Sequence, residues 1–332
     1  NLPVGIIALL LCVTVLRSTV RRRVFFDWTS IIALGIFVIG LQTFLDQGND
    51  EDWFASRPLT LMLVAACVAG GVAVYRGIVD RNAIVDFTLF RDRNFAVGTL
   101  LVTCVGIIFF GVLVILPGYL ENNLGWQVDT AGFVMGAFGV GGFLGASQTS
   151  RVSHLVGPRV TIFVGAGLLA LGAWSASLLN LNAGPIQVAV PGLVMGFGLM
   201  LAFVTCAALA FSTVEASLRN QAVGLFNLVK TIGFSIGVTF VATLAYRGNQ
   251  SNWAQYVGAV VPWNQAYIRF TASMEDATLE QTVAVVSEVF SEQMQMLTVA
   301  QSMEWLAVLA IVTMFVVFLA RGGAPTGGGS GE

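Results

Sequence analysis

Five polar side chains recur at every fourth position of one long apolar stretch in the last third of the sequence. They are Asn227, Thr231, Ser235, Thr239 and Thr243. Residues four apart lie on the same face of an α-helix, so the stretch predicts an apolar helix with one polar face. Polar groups are costly inside a membrane span and usually mark a binding site or transport pathway. The chemistry predicted here is recognition by hydrogen bonds within a cavity.

Lys230 lies beside the first two residues of this stripe. It is about two turns from the inner end of the predicted helix, at roughly 1.5 Å per residue. Two interpretations stay open. The amine either reaches the cytoplasmic interface while its methylene chain stays in the apolar region, or it is a cavity-facing cation. In the second case it would order neighbouring helices or sense the coupling state.

The sequence lacks the groupings that catalysis, metal binding or nucleotide binding need. No Asp or Glu lies well inside a predicted span, since Asp27 and Glu304 are at span edges. The four cysteines lie in four different apolar stretches without metal-site spacing. His154 lies in an inner loop, and no phosphate-binding Gly-Lys-Ser/Thr loop occurs. An enzyme is therefore the least supported class, no cofactor is expected, and the net charge of −2 does not indicate a nucleic-acid partner.

The composition predicts that lipid is the main solvent of this chain. Hydrophobic residues make up 56% of its 332 residues and charged residues 10%, with a mean hydropathy of +0.83. Soluble domains carry about 25% charged residues, and a membrane-spanning helix needs roughly 20 apolar residues. We predict nine spans, near 2–16, 28–45, 59–79, 95–117, 131–148, 160–180, 188–212, 222–246 and 304–320.

The first apolar run is short, and we interpret it as a truncated helix. A signal peptide is the rival interpretation, but the basic cluster at 17–23 follows the apolar run instead of preceding it. With this cluster in the cytoplasm, alternation of the spans places 12 arginines on the inner side and 3 on the outer side. The C-terminus is then cytoplasmic. Nine spans place the two ends on opposite sides, so an odd number of helices is missing from the front if both ends of the full protein lie in the cytoplasm.

The charged stretch 76–94 is the best domain boundary, and six predicted spans follow it. The only long loop, 247–303, is predicted to be on the outer side, with an amphipathic helix formed by Leu279, Val283, Val286, Phe290 and Leu297. This helix either lies along the membrane interface or packs on the bundle, or it is a docking surface for a periplasmic partner. The Gly-rich residues 322–332 predict a disordered tail.

Glycines are frequent in the predicted spans, with six between 132 and 145 and a GxxxG pair at Gly233 and Gly237. Small residues let helix backbones approach closely in lipid. The glycines either serve static packing or also allow helices to slide and rock, as alternating access requires.

Three stretches together resemble one transporter family. NLPVGIIALLL is similar to the start of the sixth helix in fourteen-helix drug/proton antiporters of the EmrB/QacA type, within the major facilitator superfamily. IVDFTLFRDRNFAVG resembles the signature before the family's ninth helix. ASLRNQAVGLFNLVKTIGFSIG resembles the segment that enters the thirteenth helix, with Lys230 where the family usually has Arg. The matching positions are Asp86, Leu89, Phe90, Arg93, Phe95, Asn227, Gly233, Ser235, Ile236 and Gly237. The likeness covers residues 1–321, and the loop at 247–303 is close to the EmrB branch.

The resemblance implies an all-α, polytopic helical bundle containing helices six to fourteen, with five helices absent. Residues 1–16 would end the N-terminal half, 17–94 would hold two inserted helices and the linker, and 95–321 would form the C-terminal six-helix domain. A loop motif between the fifth and sixth spans is also matched by Arg151, Gly157, Pro158 and Arg159. His154 stands where the family commonly has an acid, which weakens the charged contacts expected of this gating loop.

The implied function is multidrug efflux driven by a proton gradient at the bacterial inner membrane, with the proton-binding carboxylates in the missing half. The implied partners are the lipid bilayer, amphipathic drugs, a periplasmic adaptor and an outer-membrane channel. A narrow-substrate exporter of a siderophore, metabolite or antibiotic is the alternative, and a non-transporting membrane scaffold is less supported. The predicted cavity wall comprises Asn227, Lys230, Ser235, Thr205, Thr103, Met135, Phe138 and Met200.

Overall fold

A computed structural model describes residues 2–15, 27–79, 85–259, 261, 263–272 and 278–320. Every long regular element within these residues is a helix, which confirms the predicted all-α class. The helices are α1 Leu2–Val15, α2 Trp28–Gln47, α3 Arg57–Val79, α4 Arg93–Gly118, α5 Val128–Val156, α6 Pro158–Ser177, α7 Pro185–Phe211, α8 Arg219–Tyr256, α9 Gln265–Thr271 and α10 Leu279–Val316.

Eight of the described helices are long and apolar enough to cross a membrane. They are α2 to α8 and α10, and the spans that contain α4, α8 and α10 each include a short flanking helical turn. The predicted polytopic architecture is therefore confirmed for the described part of the chain. The remaining apolar helix, α1, is 14 residues long, and each of its residues is exposed. It contributes nothing to the buried core.

Helices α4 to α8 and α10 form one bundle, with α4 and α7 at its centre. The largest fully buried side chains of α4 are Phe95, Leu101 and Ile108, and α7 adds Leu199 and Leu201. We call the end of the bundle that carries Arg76, Arg93 and Arg159 the inner end, and the opposite end the outer end. Because α4 and α7 are surrounded by other helices, they form the core on which the rest of the bundle packs.

Helices α2 and α3 form a hairpin that packs on the outside of the bundle. The two helices approach closely at Gly40, where an added Cβ would lie 2.8 Å from the Cβ of Ala66. At the inner end the Asp27 carboxylate, which caps α2, lies 3.3 Å from the Arg76 guanidinium of α3. The two helices predicted to be an inserted pair therefore form a hairpin whose inner end is held by an ion pair.

The outer segment differs from the loop predicted at 247–303. Helix α8 continues to Tyr256, and α10 begins at Leu279 and runs into the last span without a break. At roughly 1.5 Å per residue, the 38 residues of each helix extend about 57 Å, well beyond a hydrocarbon core of about 30 Å. The predicted amphipathic helix is thus the outer part of α10, and not a separate helix along the membrane surface.

The outer parts of α8 and α10 pack on each other and form what we call the outer arm. The ring of Trp253 lies edge-on to that of Phe290, with centroids 4.7 Å apart. Gly248 permits the approach, since an added Cβ would lie 2.9 Å from Cγ2 of Thr298. The polar sequence of this segment suggested a loop. In the structure the segment is largely helical, because the outer parts of α8 and α10 stabilise each other by packing.

Several predictions lie outside the described residues. These are the basic cluster at 17–23, part of the linker at 80–84, and the C-terminal stretch 321–332.

Candidate functional site: two cavities on either side of the α4–α8 contact

The polar stripe of α8 contacts α2 and the turn that follows it along the outer half of the stripe. The Ser235 hydroxyl donates to the side-chain oxygen of Gln42. One turn further out, the Thr239 hydroxyl donates to the carbonyl oxygen of Leu45 at 3.2 Å. Another turn out, the Thr243 hydroxyl donates to Oδ1 of Asn49, also at 3.2 Å. The stripe is therefore a helix–helix seam there, which hydrogen bonds hold in register.

Below Ser235, towards the inner end, α2 and α8 separate and enclose a cavity of about 600 Å³. We call it the wedge cavity. Asn227, Thr231 and Ser235 line its α8 side, as the sequence predicted for a cavity-lining helix. Its opposite wall comes from α2, which the prediction did not include. The polar stripe thus serves a seam at the outer end and a cavity at the inner end.

A second cavity, of about 480 Å³, lies among α4, α5 and α7. Met135, Phe138 and Met200, which residue type suggested as an adaptable apolar wall, all line it. Phe109 of α4 also lines it, and its ring stacks on that of Phe138 with centroids 5.8 Å apart. Because its lining includes three phenylalanine rings beside two methionines, we call it the aromatic cavity.

Close packing of α4 on α8 lies between the two cavities. An added Cβ at Gly237 would lie 2.6 Å from the backbone oxygen of Ile107, and one at Gly106 would overlap the ring of Phe234. Phe234 in turn stacks on Phe110 with centroids 4.4 Å apart. The predicted GxxxG pair is therefore a site of close helix packing in this conformation. Of the eight predicted wall residues, two line the wedge cavity, three line the aromatic cavity, and three line neither.

Lys230 lines neither the wedge cavity nor the aromatic cavity. Its amine donates to Oδ1 of Asn227 at 2.7 Å, one turn closer to the inner end. The same nitrogen lies 5.8 Å and 5.9 Å from the ring centroids of Phe226 and Phe234, within the range of a cation–π contact. The cation is thus held on the surface of α8 beside the wedge cavity, and its amine is directed towards the inner end.

Thr103 and Thr205 also lie away from both cavities. The Thr103 hydroxyl donates to the Thr99 carbonyl at 2.9 Å, and its methyl group fills the space beside Gly233. Thr205 is 2% exposed, and its hydroxyl donates to the Leu201 carbonyl at 2.7 Å. Hydroxyls that bond to their own helix in this way are satisfied without a ligand.

The glycines of α5 divide into a packed set and an open set. Cβ atoms added at Gly141 and Gly145 would overlap carbonyl oxygens of α7. Among the described residues, Cβ atoms added at Gly132, Gly136 and Gly139 would meet nothing within 4 Å. The first set serves static packing, and the second leaves one face of α5 smooth and uncovered by the described chain.

The linker motif organises the inner start of α4. Asp86 caps the turn Phe87–Arg91, accepting from the Thr88 amide at 2.8 Å. Phe90 packs on buried Phe95, with ring centroids 5.5 Å apart. Arg93 donates from Nε to the carbonyl oxygen of Leu319 at 2.5 Å. The predicted linker residues therefore join the start of α4 to the end of the last helix.

The loop motif between α5 and α6 makes a sharp turn. Gly157 has φ 82° and ψ 157°, a conformation that is essentially restricted to glycine. Arg159 follows, and its guanidinium donates to the carbonyl oxygen of Ala320. Arg151 and His154 are exposed. Of the predicted gating residues, Gly157 and Arg159 therefore have defined structural contacts, and Arg151 faces outward.

Residues 3–238 match the Major Facilitator Superfamily, a region that covers well over half of the chain. The chain belongs to the Major Facilitator Superfamily.

Relatives of this major facilitator protein are multidrug and resistance proteins of bacteria. It is 25% identical over 342 residues to "Multidrug export protein EmrB" of Escherichia coli (strain K12), covering 100% of this chain and 66% of that protein. It is 25% identical over 322 residues to EmrB of Haemophilus influenzae, covering 96% and 63%. It is 23% identical over 333 residues to "Fatty acid resistance protein FarB" of Neisseria gonorrhoeae, covering 99% and 66%. The EmrB-type resemblance is therefore confirmed, and the chain spans slightly less than two thirds of the length of these relatives.

For a major facilitator protein of this type, the main residue missed by sequence reasoning is Gln42. It lines the wedge cavity and accepts the Ser235 hydrogen bond. A signal was present, because an amide inside an apolar span is costly unless it finds a hydrogen-bond partner. Phe109 gave no such signal, since one phenylalanine among many in apolar helices carries no positional information.

Proposed function

We propose that this chain is the C-terminal part of a multidrug efflux transporter that exchanges amphipathic drugs for protons by alternating access. The observation that carries the proposal is the aromatic cavity within a transporter fold. Phenylalanine rings and flexible methionine side chains adapt to ligands of different shape, as promiscuous binding sites require. A volume of about 480 Å³ also lies within the range of about 300–1,000 Å³ for drug-sized ligands.

The names of the relatives support export of toxic compounds. EmrB and EmrY of Escherichia coli carry the words multidrug export and multidrug resistance in their names. FarB is named for resistance to fatty acids, which favours the second candidate, an exporter of one narrow class of compound. The breadth of the resistance profile distinguishes these two functions.

We infer that five further helices precede this chain in the complete transporter and carry the proton-binding carboxylates. Helix α1 supports this inference, because an apolar helix with every residue exposed is expected to pack on helices outside the described chain. The energy source is then the proton gradient, without a bound cofactor. The inner end of the bundle, with its arginines, is cytoplasmic, and the C-terminus lies on that side.

The partners follow from the same proposal. Lipid surrounds the spans, and the outer arm extends towards the periplasm, where an adaptor protein joined to an outer-membrane channel would meet it. Removal of residues 277–300 should abolish co-purification of such an adaptor and leave membrane insertion intact. Unchanged co-purification would exclude the outer arm as its docking site.

Drug susceptibility tests the transport proposal directly. The full-length gene, expressed in a strain without its own efflux pumps, should confer resistance to several unrelated amphipathic drugs. Met200→Trp should lower that resistance because the indole fills the aromatic cavity. Val190→Trp is the matched control, since Val190 lies on the same helix and is 56% exposed. No resistance from the expressed parent would favour the narrow-substrate exporter.

Proton coupling is tested in liposomes. The full-length protein should dissipate a pH gradient when drug is added, and this chain alone should not. Gradient dissipation by the chain alone would place coupling groups within residues 1–332.

A further inference from the structure

The two walls of the wedge cavity differ in chemical character. The α8 wall carries neutral amide and hydroxyl groups, including those of Asn220, Gln221 and Thr231. The α2 wall is mainly apolar, with Leu34, Val38 and Leu41, and its amide Gln42 accepts the Ser235 hydroxyl at the outer end. A molecule that fits both walls has hydrogen-bonding groups along one side and an apolar surface along the other.

The lining is also uncharged, since none of the described residues around the wedge cavity is acidic or basic. Along α8, Arg219 precedes the lining residue Asn220 and Lys230 precedes Thr231, but neither belongs to the lining. The Lys230 amine is bound to Asn227 Oδ1. The Asn227 amide nitrogen donates to the carbonyl oxygen of Val223 at 2.9 Å. A charged ligand would lose its hydration here without gaining an opposite charge, so the lining favours uncharged ligands.

The cavity is closed at its outer end by the α2–α8 seam. Ser235 and Thr239 are 8% and 6% exposed, and each donates to a group of α2. The volume of about 600 Å³ lies within the range of about 300–1,000 Å³ for drug-sized ligands. The site is therefore large enough for such a ligand and has a fixed end against which the ligand can rest.

We propose that the wedge cavity is a second binding site, specific for uncharged amphipathic molecules, and that the inserted helix α2 supplies its apolar wall. The inserted hairpin is thus part of ligand recognition, and the six-helix domain does not determine specificity alone. The proposal concerns binding, so it can be tested whether or not the complete protein exports drugs.

The test measures equilibrium binding of two probes to the purified full-length protein. Radiolabelled chloramphenicol is uncharged, with hydroxyl and amide groups beside an aromatic ring. Tetraphenylphosphonium is an apolar cation suited to the aromatic cavity. Val38→Trp fills the wedge cavity from α2, and Ile39→Trp is the matched control because Ile39 is the next residue and is 63% exposed.

We expect saturable chloramphenicol binding that Val38→Trp weakens about tenfold, because the indole occupies part of the space that the ligand needs, and that Ile39→Trp leaves unchanged. Tetraphenylphosphonium binding should be equal in all three proteins, which also shows that they are folded. Absence of chloramphenicol binding, or equal binding by the two tryptophan variants, would overturn the proposal.

Thr231→Val provides a second variant if Val38→Trp does not fold. It preserves shape and removes one hydroxyl from the polar wall, so chloramphenicol affinity should fall about threefold to tenfold. Unchanged affinity in this variant would also overturn the proposal. Failure of the transport function would appear instead as the absence of drug resistance from the expressed parent gene.

Discussion

The guanidinium of Arg159, at the start of α6, donates a hydrogen bond to the carbonyl oxygen of Ala320, just past the end of α10. Arg93 of α4 binds the preceding carbonyl, that of Leu319. Carbonyl oxygens at a helix C-terminus lack partners within the helix and carry partial negative charge, so two cations are well placed there. The linker motif and the loop motif thus meet at the end of the last helix.

Arg159→Ala should destabilise the protein by about 1.5–3 kcal/mol, the usual contribution of a hydrogen bond to a charged group. The measurement is the thermal unfolding midpoint of the purified protein, followed by tryptophan fluorescence. Arg151→Ala is the control, because Arg151 belongs to the same loop motif and is exposed. Equal midpoints for the two variants would show that the Arg159 contact does not stabilise the fold.

Gly157→Ala should destabilise the turn between α5 and α6 by about 1–3 kcal/mol, because the backbone at φ 82° and ψ 157° suits only glycine. Gly184→Ala is the matched control, since Gly184 precedes α7 with φ −83°, which any residue adopts. The comparison uses the same unfolding midpoint. A Gly157→Ala variant as stable as Gly184→Ala would contradict the assigned turn geometry.

Asp27 predicts a pH dependence of the α2–α3 hairpin. The hydrogen bond from the Ser30 hydroxyl, assisted by backbone amides and Arg76, holds the pKa of the Asp27 carboxyl below its ordinary value of 3.8. A carboxyl with a lowered pKa in the folded state stabilises the fold above its unfolded pKa. That contribution is lost as the pH falls through the lowered pKa.

The unfolding midpoints of wild type and Asp27→Asn should therefore differ at neutral pH and converge as the pH falls below the ordinary carboxyl pKa of 3.8. Asp50→Asn, which changes an exposed carboxyl in the outer turn of the same hairpin, is the matched substitution control. A constant difference between wild type and Asp27→Asn across this range would exclude the ion-paired carboxylate as its source.

Lys230→Ala should lower drug resistance about tenfold, because removing the amine deletes a hydrogen bond of a charged group to Asn227 and a cation beside two rings. Lys230→Arg keeps the charge and should retain resistance. Susceptibility of a pump-deficient strain carrying the full-length gene is the measurement. If resistance persists in Lys230→Ala, the amine of Lys230 only extends to the membrane interface and is not needed for export.

Much of the fold could be predicted because lipid imposes simple rules on the sequence. Long apolar runs interrupted by arginines specify the spans. The spacing of four residues between polar side chains from Asn227 to Thr243 identifies the polar face of α8. What that face contacts depends on which helix packs against it. The bonds from Ser235 to Gln42 and from Thr239 to Leu45 are tertiary contacts between residues about 190 positions apart, and no local pattern encodes them.

The candidate cavity residues also divide into those whose position the sequence predicted and those whose position it did not. Met135, Phe138 and Met200 could be chosen by residue type, and they do line one cavity. Thr103 and Thr205 were chosen in the same way, but their hydroxyls bond within their own helices. Residue type alone cannot distinguish a hydroxyl that faces a cavity from one that is satisfied by the preceding turn.

The outer arm has a mechanical consequence. Asn252 of α8 donates to Thr298 of α10 at 3.0 Å, and both side chains are buried, so the two helices form a stiff rod. The part of α10 from Leu279 to Met303, before the predicted last span, extends about 36 Å. A tilt of only about 10° within the membrane therefore moves the tip of the rod by about 6 Å. A small rotation among the spans would therefore be converted by the arm into a larger displacement at its tip.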